Sequence, residues 1–197
     1  MHRLDLVVGP NGAGKSTFVR LTLHPLLPAS VFVNADEIAR HRWPDDPERH
    51  AYKAAEIAAQ TRDALMGSHR SFIAETVFSH PSKIDLLVRA QDARYIVVVH
   101  VLLVPEQLAV LRVGYRVRGG GHSVPEIKIR ERFHRLWPLV VMAIELADTA
   151  TVYDNSDAAG PRVVAQFSEG TPVGDLSWPA WTPDPMTQRW PSEPDTA

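Results

Sequence analysis

Cysteine is absent from this chain of 197 residues. Disulfides, thiol redox chemistry and metal sites with thiolate ligands are therefore excluded. The nine histidines show no regular ligand spacing, so the sequence does not indicate a histidine-rich metal site either. At this length a single domain can bury a sizeable core without a covalent or metal crosslink.

Long apolar runs and an excess of positive charge are also missing. No stretch approaches the ~20 apolar residues that a membrane-spanning helix needs, and the first apolar segment begins at Leu4, which leaves no room for a signal peptide. We therefore expect a cytoplasmic protein without a membrane partner. The 21 basic and 23 acidic side chains nearly balance, so an extended nucleic-acid interface is not favoured.

A glycine-rich segment follows the apolar run at residues 4–8 and fits the pattern G-x-x-x-x-G-K-[ST] of a phosphate-binding loop. Its backbone N–H groups and the helix that follows would hold phosphates. Lys15 is expected to reach the β and γ phosphates, Ser16 to ligate Mg²⁺, and Thr17 to contact the α phosphate or cap the turn. The sequence thus predicts ATP or GTP with Mg²⁺, bound by Gly9, Pro10, Asn11, Gly12, Ala13, Gly14, Lys15, Ser16 and Thr17.

Apolar β-rich segments alternate with helical segments along most of the chain. Strands are predicted near residues 4–8, 31–33, 71–75, 95–104 and 149–153. Such alternation predicts an α/β fold with a parallel five-stranded sheet and helices on both faces. A helix after Pro125 is predicted to carry a core-facing stripe, with Pro138 as a kink or break.

The composition divides the chain into a domain over residues 1–167 and a C-terminal tail over residues 168–197. The tail contains Trp178, Trp181 and Trp190 among several prolines. This composition predicts an irregular segment that is partly disordered near its end. Its tryptophans are expected to dock onto the domain itself or onto a partner.

Polar residues follow three of the predicted strands, where parallel α/β sheets bind ligands. Asp36 is placed to accept the proton of an acceptor hydroxyl, or else to cap a helix. Glu75, followed by Thr76, needs a partner for its carboxylate, which would be Mg²⁺, a substrate hydroxyl or an arginine. Asn155 lies in a polar turn that would line an adenine pocket or serve only as a turn.

A glycine-rich segment between two arginine clusters is typical of a mobile lid. Arg116 and Arg118 precede residues 119–121, and Arg130 and Arg132 follow them. Arginines that close over a transferred phosphate stabilise its charge and exclude water. The alternative is a solvated basic surface, and His122 fits the site and the loop surface equally well. His100, in an apolar strand, is interpreted as a hydrogen-bonded core residue.

Together these segments resemble the zeta toxin family over roughly residues 4–165; they are the phosphate-binding loop and residues 33–39, 72–76, 120–126, 129–133 and 153–156. The resemblance implies a P-loop kinase fold related to nucleotide and shikimate kinases. It also implies phosphorylation of the 3′-hydroxyl of UDP-N-acetylglucosamine and an antitoxin protein as partner. By motif, Asp36 matches the catalytic aspartate and Glu75 the acidic substrate position. Arg116 or Arg118, with Arg130 or Arg132, match the arginines around the transferred phosphate.

The sequence departs from the characterised toxins at one point of this pattern. Those toxins carry Glu-Gly-Thr where this chain has Glu75-Thr76-Val77. Other acceptors therefore stay open at this stage, including another metabolite or a nucleic-acid 5′ end. A non-enzymatic alternative is a switch in which ATP orders the arginine-rich segment and hydrolysis resets it.

Overall fold

The structure, a computed structural model, describes residues 2–118 and 125–192. A single sheet of seven strands, in the order β2-β3-β1-β4-β5-β6-β7, runs through it. The strands are β1 (His2–Val8), β2 (Val31–Val33), β3 (Phe72–Thr76), β4 (Tyr95–Leu103), β5 (Thr149–Asp154), β6 (Arg162–Ser168) and β7 (Thr171–Pro172). The α/β fold with five parallel strands, predicted from the sequence, is confirmed for β1 to β5.

The predicted total of five strands is wrong, because β6 and β7 extend the sheet in the antiparallel direction. β6 returns to β5 through a short loop rather than through a crossover helix. A short loop can join only antiparallel neighbours. The alternation of strands with helices, on which the prediction depended, therefore carries no signal for this hairpin.

Helices connect the parallel strands. They are α1 (Lys15–Phe18), which continues through a π-helical turn (Val19–Leu23) into α2 (His24–Leu26), then α3 (Ala35–Arg42), α4 (Ala51–Gly67), α5 (Ile84–Asp92), α6 (Glu106–Arg118), α7 (Glu126–Leu146) and α8 (Asp184–Arg189). A 3₁₀ turn over Pro81–Lys83 precedes α5. Residues 4–8 of β1 and 97–103 of β4 are buried without interruption. Since neighbouring side chains point to opposite faces, both faces of the sheet must be covered.

The long helix α7 carries the stripe that its sequence predicts. Its buried residues include Ile129, Phe133, Leu136, Val140 and Ile144, and Ala147 is buried just beyond its end. Pro138 lies inside the helix and does not interrupt it. The residue occupies an exposed position, where water can solvate the backbone carbonyl that proline leaves without a donor.

A buried ion pair fastens the centre of the sheet. Asp5 of β1 is fully buried, and its carboxylate accepts hydrogen bonds from Nε2 of His100 on β4 (2.9 Å) and from the guanidinium of Arg3 (2.6 Å). Burial raises the pKa of Asp5, but the bonds from His100 and Arg3 outweigh that effect and lower it. The interpretation of His100 as a hydrogen-bonded core residue is confirmed.

The tail was predicted to be irregular, and the structure differs by containing β7 and the short helix α8. Met186 and Trp190 are buried against the main core. Trp190 lies with its ring centroid 4.6 Å from that of Phe167, and its Nε1 donates to the carbonyl of Gly170 (3.1 Å). The boundary at residue 167 stays a prediction, and the expected disorder at the end falls largely on residues 193–197, outside the described residues.

Truncating the buried tryptophan tests how strongly the tail is attached. Trp190→Ala removes a large side chain from the core, so the free energy of unfolding is expected to fall by about 3 to 5 kcal/mol in a urea titration. Val173→Ala is the control, because that side chain is 56 % exposed in the same segment. A loss below about 1 kcal/mol at Trp190 would mean that the tail contributes little.

The pKa of Asp5 gives a pH dependence. A carboxyl whose pKa is lowered by folding adds stability above its unfolded pKa of about 3.9, and this stability is lost as the pH falls through the folded value. Asp5→Asn is expected to lower the unfolding free energy by about 3 kcal/mol at pH 7. The difference from wild type should shrink as the pH falls below about 4. Asp45→Asn, at an exposed position, is the control; a difference that is independent of pH would contradict the assignment.

Candidate functional site

The phosphate-binding loop lies between β1 and α1, and two of its glycines allow close packing beneath it. Gly9 and Gly12 have φ angles of +151° and +78°. A Cβ atom at Gly9 would lie 2.6 Å from the carbonyl oxygen of Leu102 on β4, and one at Gly12 would lie 2.5 Å from that of Ala109 on α6. The loop is therefore seated directly on backbone, and only glycine fits at these two positions.

Lys15 lies inside the loop that it belongs to. Its Nζ donates to the carbonyl oxygens of Gly9 (3.0 Å) and Pro10 (2.9 Å). Burial lowers the pKa of its ammonium group; the carboxylates of Glu75 and Asp36 act in the opposite direction, and the charge of Arg116 lowers it further. Three other residues that the sequence analysis assigned to the site thus act electrostatically on this buried cation.

Glu75, at the end of β3, uses both oxygens of its carboxylate. One accepts from the hydroxyl of Ser16 (3.1 Å) and the other from the side-chain amide of Asn34 (2.6 Å). Its partners are therefore a hydroxyl and an amide of the site itself. The neighbouring Thr76 accepts from the backbone N–H of Phe78 (3.3 Å), which holds the turn that follows β3.

Asn34 is a site residue that the sequence analysis missed. Its side chain accepts from the backbone N–H groups of Asp36 (2.8 Å) and Glu37 (3.3 Å), so Asn34 is the N-cap of α3. The alternative interpretation of Asp36 as the helix cap is therefore wrong, and its exposed carboxylate is free of that task. The available signal was an asparagine directly after a strand and before two acidic residues, a common helix start.

The residues that could hold a cation are few. In the part of the chain that the structure describes, no group of three or more histidine or acidic side chains could hold a metal ion alone. Mg²⁺ in nucleotide sites needs only one or two protein oxygens, since phosphates and water supply the others. The Ser16 hydroxyl, which contacts Glu75, fits this requirement.

Asn155 lies below the phosphate-binding loop. Its side-chain amide donates to the carbonyl oxygen of Ala13 (2.7 Å), and a Cβ atom at Gly14 would lie 2.7 Å from the same nitrogen. Arg112 of α6 holds the turn in place, because its guanidinium donates to the carbonyls of Asn155 (2.9 Å) and Ser156 (3.3 Å). Asn155 therefore shapes the loop, while its contact with an adenine ring stays a prediction.

The arginines of the predicted lid are not all alike. The guanidinium of Arg118 stacks 4.5 Å from the ring of Tyr115, at the end of α6. Arg130 of α7 donates to Glu126 (2.7 Å) and Glu106 (3.1 Å), and these carboxylates raise its pKa. Arg132, half-buried on α7, forms no ion pair with another described residue. His122 and the glycines at 119–121 lie outside the described residues.

Comparison with known proteins assigns the family. The sequence matches the zeta toxin family over residues 3–159. The chain belongs to this family. A search of the curated proteins found no match.

Solved structures support the same fold for this zeta toxin family member. A chain of the crystal structure of AvrRxo1-ORF1:-ORF2 with ATP is similar at a TM-score of 0.69 and 14% identity, covering 88% of this chain and 60% of that one. The PezAT toxin-antitoxin system of Streptococcus pneumoniae gives 0.59 and 14%, with 78% and 68% covered. Shikimate kinase from Acinetobacter baumannii, in complex with shikimate, gives 0.52 and 22%, with 81% and 87% covered. At these identities the likeness extends to the P-loop kinase fold, and this chain spans less than two thirds of the AvrRxo1 chain.

A cavity of about 230 Å³ opens beside Glu75 in this zeta toxin family member. We name it the α4–α5 cavity, because it lies between these helices and the end of β3. Its lining combines apolar residues with carboxylate, hydroxyl and cationic groups, namely Leu6, Ala35, Ala55, Ala58, Ala59, Arg62, Ala74, Glu75, Thr76, Ser82, Lys83, Leu86 and Arg89. Among the helices in the described ranges, none is long and apolar enough to span a bilayer.

The close packing beneath the phosphate-binding loop can be tested by adding a methyl group to one of its glycines. Gly12→Ala places a methyl group against the carbonyl of Ala109, so the loop must shift and its affinity for Mg·ATP is expected to fall by at least about tenfold, as measured by calorimetry. Gly114→Ala, on α6 in open space, is the matched control and should retain affinity. Equal affinities in the two variants would show that the loop tolerates this shift.

Proposed function

We propose that the chain is an ATP-dependent kinase that transfers the γ-phosphate to a hydroxyl group of a small molecule. The observation that carries this proposal is the cluster around the phosphate-binding loop. Glu75 bonds to Ser16 of the loop, and the carboxylates of Glu75 and Asp36 both act on Lys15. A phosphate site flanked by carboxylates supplies the two needs of phosphoryl transfer, which are charge neutralisation and a group that receives a proton.

Binding of ATP would begin at the loop. Backbone N–H groups of the loop, which Pro10 alone among residues 9–14 lacks, would cradle the phosphates, and Lys15 would exchange its two carbonyl acceptors for phosphate oxygens. Mg²⁺, when bound, neutralises charge on the β and γ phosphates, and Ser16 with the adjacent Glu75 would hold it and its water ligands. The side-chain amide of Asn34 donates to Glu75 and so orients its carboxylate, and Asn34 also caps the start of α3.

The transfer step assigns a role to Asp36. The acceptor oxygen forms a bond to the γ-phosphorus, the bond from that phosphorus to the β,γ-bridging oxygen breaks, and ADP leaves. The hydroxyl proton passes to the carboxylate of Asp36, which lies in the first turn of α3 beside the loop. Arg116, which already acts electrostatically on Lys15, would stabilise the developing charge, and Arg118 at the end of α6 or Arg132 on α7 would join it there. Arg130 can do so only by leaving its two carboxylate partners.

The family suggests the first acceptor to test and the kind of partner. Zeta toxin membership supports UDP-N-acetylglucosamine, phosphorylated on its 3′-hydroxyl, as the acceptor. The PezAT neighbour is described as a toxin-antitoxin system, which supports an antitoxin protein that restrains this chain too. Neither assignment changes the chemistry at Asp36.

The base is tested by a conservative substitution. Asp36→Asn keeps the size of the side chain but cannot accept the proton, so kcat is expected to fall by about 10² to 10⁴ while Mg·ATP affinity is retained. ADP release and the mass of UDP-N-acetylglucosamine are followed together. Glu37→Gln, an exposed neighbour in the same helical turn, is the control and should stay close to wild type.

Two results would contradict this assignment. Wild-type turnover by Asp36→Asn would place the base elsewhere. ADP release that no acceptor accelerates, and that ignores Asp36 while requiring Lys15, would favour the nucleotide-dependent switch over the kinase.

A further inference from the structure

The α4–α5 cavity has a strongly uneven distribution of charge. Glu75 lies at the end next to the phosphate-binding loop, where Ser16 contacts it. Arg62, Lys83 and Arg89 also line the cavity, contributed by α4, the 3₁₀ turn and α5. Alanines at positions 55, 58 and 59 of α4 share one helix face and leave the space open between these groups. A ligand in this cavity therefore meets one acidic group and three basic groups.

Two of these cationic side chains have no hydrogen-bonded partner within the described parts of the chain. The side chains of Arg62 and Lys83 make no hydrogen bond or ion pair with another described residue, and the Nε atom of Arg62 is buried without an acceptor. Arg89, by contrast, is paired with Asp63 (2.9 Å). Burial lowers the pKa of Arg62 and of Lys83; the charge of Asp63 opposes this at Arg62, and the charge of Arg62 lowers the pKa of Lys83 further. Partly buried cations without a hydrogen-bonded counter-ion are unfavourable, and an anion between them would reduce that penalty.

We propose that Arg62 and Lys83 bind an anionic oxygen group, a phosphate or a carboxylate, carried by the acceptor itself. The inference rests on the proposed function, since it identifies the class of compound that the kinase phosphorylates. Repulsion by Glu75 keeps the anionic group away from the loop and leaves the hydroxyl end of the acceptor next to Glu75 and the γ-phosphate. The acceptor is thus a hydroxy compound with an anionic group at its far end.

The volume of the cavity restricts the size of that compound. Sites for drug-sized ligands span about 300 to 1,000 Å³, whereas this cavity holds about 230 Å³. The volume of the cavity therefore favours phosphorylated or carboxylated hydroxy compounds that are smaller than a nucleotide sugar. UDP-N-acetylglucosamine, whose diphosphate could meet the same cations, would fill the cavity with only part of its length.

The test is a binding measurement in which no transfer can occur. Full-length protein saturated with Mg·ADP, so that the phosphate-binding loop is filled, is titrated by calorimetry with glycerol 3-phosphate, with glycerate and with glycerol. We expect an anionic probe to bind with a Kd of about 1 mM or tighter, and glycerol to bind far more weakly. The stronger of the two anionic probes identifies phosphate or carboxylate as the preferred group.

Charge-removing variants assign the binding to the two cations. Arg62→Met and Lys83→Met keep the aliphatic part of each side chain and are expected to weaken the anionic probe by about tenfold or more, without weakening glycerol further. Arg62→Lys should retain a good part of the affinity. Lys128→Met, which removes an equal charge from an exposed position on α7, is the control. Urea titrations confirm that each variant is folded.

Several results would overturn the inference. These are the absence of binding by both anionic probes, equal binding of glycerol, or undiminished binding in both methionine variants. Tighter binding of a 5′-hydroxyl oligonucleotide than of glycerol 3-phosphate, with steep loss in salt, would instead indicate a nucleic-acid end.

The results that would reject the proposed kinase function differ from those that would reject the anion site. Anion binding that depends on Arg62 without any acceptor-dependent turnover would retain the anion site at Arg62 and Lys83, but reject the kinase and with it the assignment of the anion to an acceptor. Phosphoryl transfer to a neutral acceptor, at a rate that Arg62→Met does not change, would retain the kinase and reject the anion site.

Discussion

The arrangement of the site depends on the carboxylate of Glu75. One of its oxygens is bonded to the phosphate-binding loop through Ser16 and the other to the start of α3 through Asn34. These two bonds join β3, the loop and α3 at a single point. Because Asn34 also caps α3, the orientation of Asp36 relative to the loop is set by the same contact. A half-buried carboxylate that accepts from two donors is a stable anchor.

The parts of this arrangement that are local in sequence could be predicted. The phosphate-binding loop, the five parallel strands and the polar residues at their ends follow from spacing and periodicity, which are local properties. The hydrogen-bonded role of His100 followed from its place in an apolar strand, although its partner Asp5 lies 95 residues away. For Asp36 a local contact decided between the two interpretations, because Asn34, two residues before it, is the cap of the helix.

The rest depends on pairings that spacing does not encode. The sequence analysis assigned Arg130 to the lid, yet Glu106 binds it from another helix. The α4–α5 cavity combines residues of α4, β3 and α5, and no single segment carries its signal. The tail was predicted from its prolines to be irregular, but Trp190 and Met186 are buried against the core. Tertiary packing of a few large side chains can order a segment that has little intrinsic preference for helix or strand.

The two additional strands, β6 and β7, also determine which edges of the sheet are exposed to other protein molecules. The central strands β1 and β4 are long and apolar, and an open sheet of such strands would pair readily with another chain. Here the outermost strands are β2, with three residues, and β7, with two. The long hydrogen-bonding edge of β5 is occupied by β6. A sheet bounded in this way offers little template for intermolecular strand addition, so the apolar centre on which the nucleotide loop is built is shielded from aggregation.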